Sequence, residues 1–288
     1  MTPLETVFNA VFFLMDTLLP FSFLEPGFMK RAMLAMLLVA PATAAIGVPL
    51  VQFRMAFFSD AIGHSAFTGV ALGILLGVSP TWTMAAFGAL VAVGIVLVKG
   101  RTDLSADTVI GVFFSTAIAL GIAIISQAKG LTRNLQAFLY GDPLAISDAE
   151  LVWLLLLLLL VALFLIVAYN QLLLLGIHEG FARAKGVRVK AVEVSFALMA
   201  SLVVTAAIRT VGILLVTALL VIPAAAARNI ARGAAPAFLF SIIIALFSGV
   251  CGLIASYYLD TATGATVVLA SSACFILTAT IRAARPSE

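Results

Sequence analysis

The stretch Arg54-Met55-Ala56-Phe57-Phe58-Ser59-Asp60-Ala61-Ile62-Gly63-His64-Ser65-Ala66-Phe67-Thr68-Gly69-Val70-Ala71-Leu72-Gly73-Ile74-Leu75-Leu76-Gly77 is long enough to cross a bilayer, and only Asp60 and His64 interrupt its apolar character. An acid and an imidazole four residues apart share one helix face, one turn apart. Thr68 extends that face by a further turn. At about 100° per residue, Gly69, Gly73 and Gly77 fall on roughly the opposite side. One face can then handle a polar solute while the other packs closely on a neighbouring helix. Ionisable groups at membrane depth are costly and mark function. With Arg54 at the membrane boundary, a rise of 1.5 Å per residue puts Asp60 about 9 Å and His64 about 15 Å along the helix. The histidine is then expected near the middle of a hydrocarbon core about 30 Å thick.

The rest of the chain has the same character. Of 288 residues 64% are hydrophobic and only 10% charged, and the mean hydropathy is +1.23. A water-soluble domain of this length is never so apolar throughout, and the short alternating segments of a β-barrel are missing. The expected fold is an all-α polytopic membrane protein, a single transmembrane domain over residues 1–288. A net charge of +3 is too small to suggest nucleic acid. Cys251 and Cys274 both lie in apolar runs and read as small buried hydrophobes, with no disulfide framework. Residues 1–24 carry Glu5 and Asp16 and lack a basic start, so they do not form a cleavable signal peptide pattern.

In chain order, residues 4–24 are interrupted by Asp16 and Pro20 and read as an interfacial or extra N-terminal segment, assigned to 1–27. Spans are expected over about 29–51, with Pro41 as a kink, then over the opening stretch, then to Val98. Another begins at Asp107-Thr108, with Asp107 as N-cap, and ends near Gln127. Residues 128–148 are polar, with a turn at Gly141-Asp142-Pro143 and Ser147 capping the next helix. The leucine run 154–160 in that helix is packing or lipid-facing surface. Residues 176–190 are the most charged stretch, and Glu179 to Lys185 can form a short amphipathic helix closed by Gly186. Further spans follow over about 191–208, 211–227 (short, with Pro223), 236–258 and 264–281. The expectation is eight firm spans, or nine with the N-terminal segment. If 176–190 is cytoplasmic, eleven of the sixteen basic residues fall on the cytoplasmic side and five outside, which supports that orientation.

Several chemistries are excluded. No G-x-x-x-x-G-K-[ST] loop occurs, so the chain binds no nucleotide by that means. His178-Glu179 is followed by Ala182 where a zinc protease needs a second histidine, and no G-x-S-x-G elbow occurs. The chain is not expected to be an enzyme. Asp60 and His64 supply oxygen and nitrogen donors of the kind zinc and manganese accept. Two donors are too few for a tight site, and a transport path needs weak, incomplete coordination because the ion must leave. The other reading of the pair is a buried hydrogen bond that only fixes packing. His178 reads as a solvated loop histidine, Arg209 as a snorkelling end residue, and Tyr257-Tyr258 before Asp260 as an interfacial anchor.

At these residues the sequence resembles the permease subunits of ABC importers for zinc, manganese and iron. The resemblance runs from about Met29 to Leu277. It is carried by Arg54 to His64, Asp107-Thr108-Val109-Ile110-Gly111, Leu139-Tyr140-Gly141-Asp142-Pro143-Leu144 and Ala182-Arg183-Ala184-Lys185-Gly186-Val187. Val211 to Leu215, Leu220 to Arg228 and Ser256-Tyr257-Tyr258-Leu259-Asp260 complete it. The order of these dispersed motifs makes the resemblance specific. It implies a permease that pairs with a second copy or a paralogue, a cytoplasmic ABC ATPase subunit, and an extracytoplasmic metal-binding protein that delivers the ion. It implies an inner-membrane location, no tightly bound cofactor, and zinc or manganese as cargo, with Asp60 and His64 on the metal path. It also implies a cytoplasmic coupling loop over 176–190, in which Glu179, Phe181, Ala182, Arg183, Lys185 and Gly186 serve the ATPase contact. The sequence departs from the family in its first 25 or so residues and in Gly176-Ile177-His178-Glu179-Gly180, where an Asp-Pro-type turn is more usual. The competing classes are a secondary carrier driven by an ion gradient and a non-transporting membrane scaffold.

Overall fold

The computed structural model describes Phe12, Met15, residues 22–127 and residues 146–284. The interfacial reading of residues 4–24 lies largely outside these, as do the turn at Gly141-Asp142-Pro143 and the Leu139 to Leu144 motif. After a single 3-10 turn at Ser22–Leu24, the helices are α1 (Gly27–Gln52), α2 (Phe58–Leu75), α3 (Pro80–Lys99), α4 (Ala106–Gln127), α5 (Asp148–Ile177), the short α6 (Glu179–Ala184), α7 (Val189–Val211), α8 (Ile213–Ile230), α9 (Ala234–Leu259) and α10 (Thr263–Ala283). Among the described residues nine helices, all but α6, are long and apolar enough to cross a membrane. These nine match the spans located along the sequence from about residue 29 onward one for one, and they stand without the N-terminal segment. An odd number also fits the charge pattern, which puts the chain after Gly27 and its C-terminal end on opposite sides.

Helix α1 is the axis of the bundle. Ala35, Ala40, Ala44, Ile46 and Leu50 are all fully buried, enclosed by α5, α8 and α9. Without water to drive association, such helices hold by close packing of small residues. Gly47 shows it: a Cβ there would stand 1.7 Å from the Leu220 carbonyl oxygen, so α1 and α8 approach backbone to backbone just before Pro223. Helix α1 continues through Pro41 and Pro49 to Gln52. Helices α2, α3 and α4 form a second group that α7 joins to the first, and α10 packs on α8 and α9.

The long polar contacts made by charged and amide side chains join helix ends on the same side of the bundle. On the basic-rich side Lys99 meets Glu193 at 3.2 Å, the Arg228 guanidinium donates to the Val51 carbonyl at 3.3 Å, and the Asn229 amide donates to the Thr278 hydroxyl at 3.3 Å. On the other side Arg31 meets Asp148 at 2.8 Å, and Arg209 reaches both the Thr81 hydroxyl at 3.1 Å and Glu150 at 3.3 Å. Arg209 therefore ties α3, α5 and α7 together rather than merely snorkelling. Such half-exposed pairs are worth roughly 0–1 kcal/mol each, so they align helix ends and do not hold the fold. The strict alternation of ends is what nine consecutive crossings require.

The caps explain where helices start and stop. Ser147 accepts from the Glu150 backbone N–H, and the Glu150 side chain accepts from the Ser147 N–H, a capping box that opens α5 as expected. At α4 the cap is Ser105, whose hydroxyl accepts from the Thr108 N–H at 3.1 Å, and Asp107 stands inside the first turn instead of capping it. The leucine run of α5 divides between the two roles expected of it: Leu151, Leu154 and Leu157 are buried, whereas Leu155, Leu156, Leu159 and Leu160 are exposed.

Helices α7 and α8 are separated only by Gly212, at φ 82° and ψ 160°, a conformation open essentially to glycine alone. The chain thus reverses there without a loop, which the expected boundaries of about 208 and 211 almost anticipated.

Candidate functional site

The helix that carries Asp60 and His64 is shorter than the 24-residue stretch suggested. Helix α1 ends in a turn in which Arg54 donates its N–H to the Val51 carbonyl and Met55 to the Leu50 carbonyl, with Arg54 at φ 56°. This is the Schellman pattern with arginine where glycine is usual. Helix α2 then starts at Phe58, so Asp60 lies in its first turn and His64 one turn further. Measured from that start, Asp60 is about 3 Å and His64 about 9 Å along the axis.

The two faces of α2 separate as expected, with two exceptions. Gly69 and Gly73 lie against α3: a Cβ on Gly69 would stand 2.7 Å from the Met84 Cα, and one on Gly73 2.2 Å from the Thr83 hydroxyl. Gly77 is the first exception. It has φ +66° and forms the turn after α2, with no packing partner within 4 Å of an added Cβ. Thr68 is the second. It is fully buried and donates to the Ala117 carbonyl of α4 at 2.6 Å, so its hydroxyl is committed to packing and does not extend the polar face.

Asp60 and His64 themselves are half-buried. The imidazole rests edge-on against the Phe114 ring of α4, centroids 5.1 Å apart. Helix α8 comes alongside in antiparallel register: Ile213 lies against Gly63, and one turn on, the Thr217 side chain stands beside the Asp60 carboxyl. Leu214, Thr217, Val221, Ala225 and Arg228 make an i, i+3, i+4 stripe of exposed or half-buried residues on α8. Phe57, Asp60, His64 and Phe67 make the matching stripe on α2. The acid, the imidazole and the hydroxyl thus share one seam that the chain leaves partly uncovered. Sequence reasoning missed Thr217, because its nearness to Asp60 depends on the register of two helices about 150 residues apart; only its place as a lone hydroxyl in an apolar run could have signalled it.

Among the described residues no group of three or more His, Cys, Asp and Glu side chains comes together. A single chain therefore offers a divalent cation one carboxylate and one imidazole, with one hydroxyl in support. Two such donors are too few to hold an ion tightly.

The other sequence-predicted set lies together at the basic-rich end. His178 caps α6, its Nδ1 accepting from the Gly180 N–H at 3.1 Å. The helix closes with Gly186 at φ +79°, Gly186 N–H to the Arg183 carbonyl and Val187 N–H to the Ala182 carbonyl. Ala182 is fully buried and anchors α6 to the bundle, whereas Phe181 is 47% exposed. Glu179 and Arg183 pair with one another, and Lys185 lies over the Phe181 ring, 5.8 Å from its centroid. The segment is thus a preformed knob with an apolar tip, held rigidly to the bundle by its opposite face.

Comparison with known proteins agrees with this architecture. The chain is 32% identical over 246 residues to the high-affinity zinc uptake system membrane protein ZnuB of Haemophilus influenzae, covering 85% of this chain and 94% of that one. It is 33% identical over 269 residues to the manganese transport system membrane protein MntC of Halalkalibacterium halodurans, covering 93% and 90%. Its fold superposes on PsaBC from Streptococcus pneumoniae, solved in complex with Fab, with a TM-score of 0.76, 28% identity and 94% of this chain covered. The sequence pattern of the ABC 3 transport family matches residues 25–282, all nine membrane helices included, and the chain belongs to that family.

Proposed function

We propose that this chain is the membrane-spanning subunit of an ATP-driven importer that carries a divalent metal ion, zinc or manganese, inward across the cell membrane. The observation that carries the reading is the Asp60–His64 pair on the uncovered seam between α2 and α8 of an ABC 3 family bundle. Its relatives named for zinc and for manganese support both cargoes, and a carboxylate with an imidazole suits either ion. Ionised acid and neutral imidazole are also the forms that bind metal. The seam fits a path completed by a second permease copy or a paralogue, with an extracytoplasmic binding protein supplying the ion.

The chain has no nucleotide loop of its own, so ATP hydrolysis belongs to a separate cytoplasmic ATPase subunit. The α6 knob, Glu179 to Gly186, is the coupling contact to that subunit. The basic-rich side is then cytoplasmic, in keeping with the distribution of lysine and arginine. Deleting the gene should lower the cell's content of one of the two metals under chelator-limited growth, and adding back that metal alone should restore growth. Unchanged zinc and manganese contents in such cells would contradict the reading.

A further inference from the structure

The elbow between α1 and α2, residues 51–57, meets four other helices. On α5, Gly176 leaves room for the Gln52 side chain, whose amide a Cβ at that glycine would overlap. On α8, the Arg228 guanidinium donates to the Val51 carbonyl at 3.3 Å. On α7, the Phe196 ring stands edge-on to Phe53, centroids 5.4 Å apart. Val96 of α3 closes the same small hollow as Phe53, Met55 and Phe58. Within the elbow Arg54 has φ 56°, a left-handed conformation that an L side chain resists. Such a conformation persists only where its surroundings over-determine it. The Val51 carbonyl that accepts from the Arg54 N–H at 3.2 Å is the same one that Arg228 holds. The elbow is therefore set from outside, and a shift of α5 or α8 resets it.

Its contacts and its far end lead to the two sites described above. Gly176 is the last but one residue of α5, and His178, two residues on, caps α6. At the other end α2 starts at Phe58, two residues before Asp60. No further element stands between them. Knob, Gly176, Gln52, elbow and Asp60 follow one another by direct contact or along the chain itself.

Resting on the transport reading above, we propose that this elbow links the coupling knob to the metal pair, with Gln52 and Arg228 as its positioning residues. Gln52 ties it to α5 and so to α6; Arg228 ties it to α8, the helix that carries Thr217. A packing role would make both residues matter for folding alone. A linking role makes them matter for the metal moved per ATP. That ratio, read with melting temperature on the same vesicles, tests this. The vesicles hold the chain, its ATPase subunit and its binding protein, and zinc and manganese are supplied in turn.

Gly176→Ala favours the helix but displaces the Gln52 amide. It should lower metal per ATP about fivefold or more at unchanged melting temperature, within the range of substitutions along a coupling route. Arg228→Met keeps the stem, removes the donors and should do the same. Arg228→Lys should recover most of the ratio, since one N–H to one carbonyl does not need the guanidinium fork. Gln52→Ala adds no bulk and keeps the test decisive if Gly176→Ala does not fold. Arg282→Gln, a cation at the same side on α10, should leave the ratio at its wild-type value. The inference falls if Gln52→Ala or Arg228→Met keeps the wild-type ratio. It falls equally if uptake and hydrolysis decline together with the folded protein at constant ratio. Wild-type vesicles that accumulate neither metal with ATP would refute the transport reading itself, a failure distinct from these.

Discussion

Asp60→Asn and His64→Ala should each reduce metal uptake by about 100-fold or more per folded complex, since loss of a residue that only supports a metal ligand already costs roughly 10–100-fold. Asparagine keeps the shape of aspartate and removes the charge, so its effect isolates the carboxylate. Both side chains are half-buried on a seam, not in the core, and their removal leaves little cavity. Thermal stability should therefore change little. Thr217→Val removes one hydroxyl at nearly constant volume beside Asp60, and should fall between these variants and wild type, near a tenfold loss. If the pair serves only packing, the order reverses: stability drops and the surviving folded complex transports normally. Uptake and melting temperature measured on the same reconstituted samples separate the two outcomes.

Phe181→Asp should leave the protein inserted and folded but remove metal-dependent stimulation of ATP hydrolysis. The folded state tolerates the change because α6 is fixed from its other side, by fully buried Ala182 and by the turn through Gly186. Phe181 is 47% exposed and makes the apolar tip of the segment. Burial of such an anchor in a partner's pocket is typically worth 2 kcal/mol or more, about 30-fold in affinity, and a charge in its place adds a desolvation cost. Stimulated hydrolysis at the wild-type rate in this variant would place the coupling contact elsewhere on the basic-rich side.

What could be read from sequence here was local, and what could not was tertiary. Ser147 and Glu150 three residues apart announce a capping box from adjacent residues alone, and it is there. So is the short helix closed by Gly186, because the turn it forms needs only that glycine's freedom at positive φ. The glycine face of α2 was legible from 3.6-residue periodicity, at Gly69 and Gly73. The same periodicity misjudged Thr68, whose hydroxyl goes to a carbonyl on α4, 49 residues away. A threonine's angular position says which way it points but not what meets it. Asp107 was expected as the cap of α4, whereas Ser105, two residues earlier, serves; both types cap well, and the choice depends on where the helix starts.

The start of α2, at Phe58 and not at Arg54, was missed for a related reason. The turn at Arg54 requires a left-handed arginine, which no propensity suggests. The Asp60–His64 pair itself was visible, since an acid and an imidazole one turn apart in an apolar run stand out. Its companion on α8 was not.

If this chain moves a metal ion at the expense of ATP through the seam marked by Asp60 and His64, a purified system must show it. The most direct test is radiolabelled zinc or manganese accumulation in vesicles holding the chain with its ATPase subunit and binding protein. ATP is supplied on the coupling-knob side, and no ion gradient is present. Accumulation should need ATP and the binding protein and should disappear in the Asp60→Asn complex. Accumulation driven by a proton or sodium gradient without ATP, or ATP-driven uptake undiminished by Asp60→Asn, would contradict it.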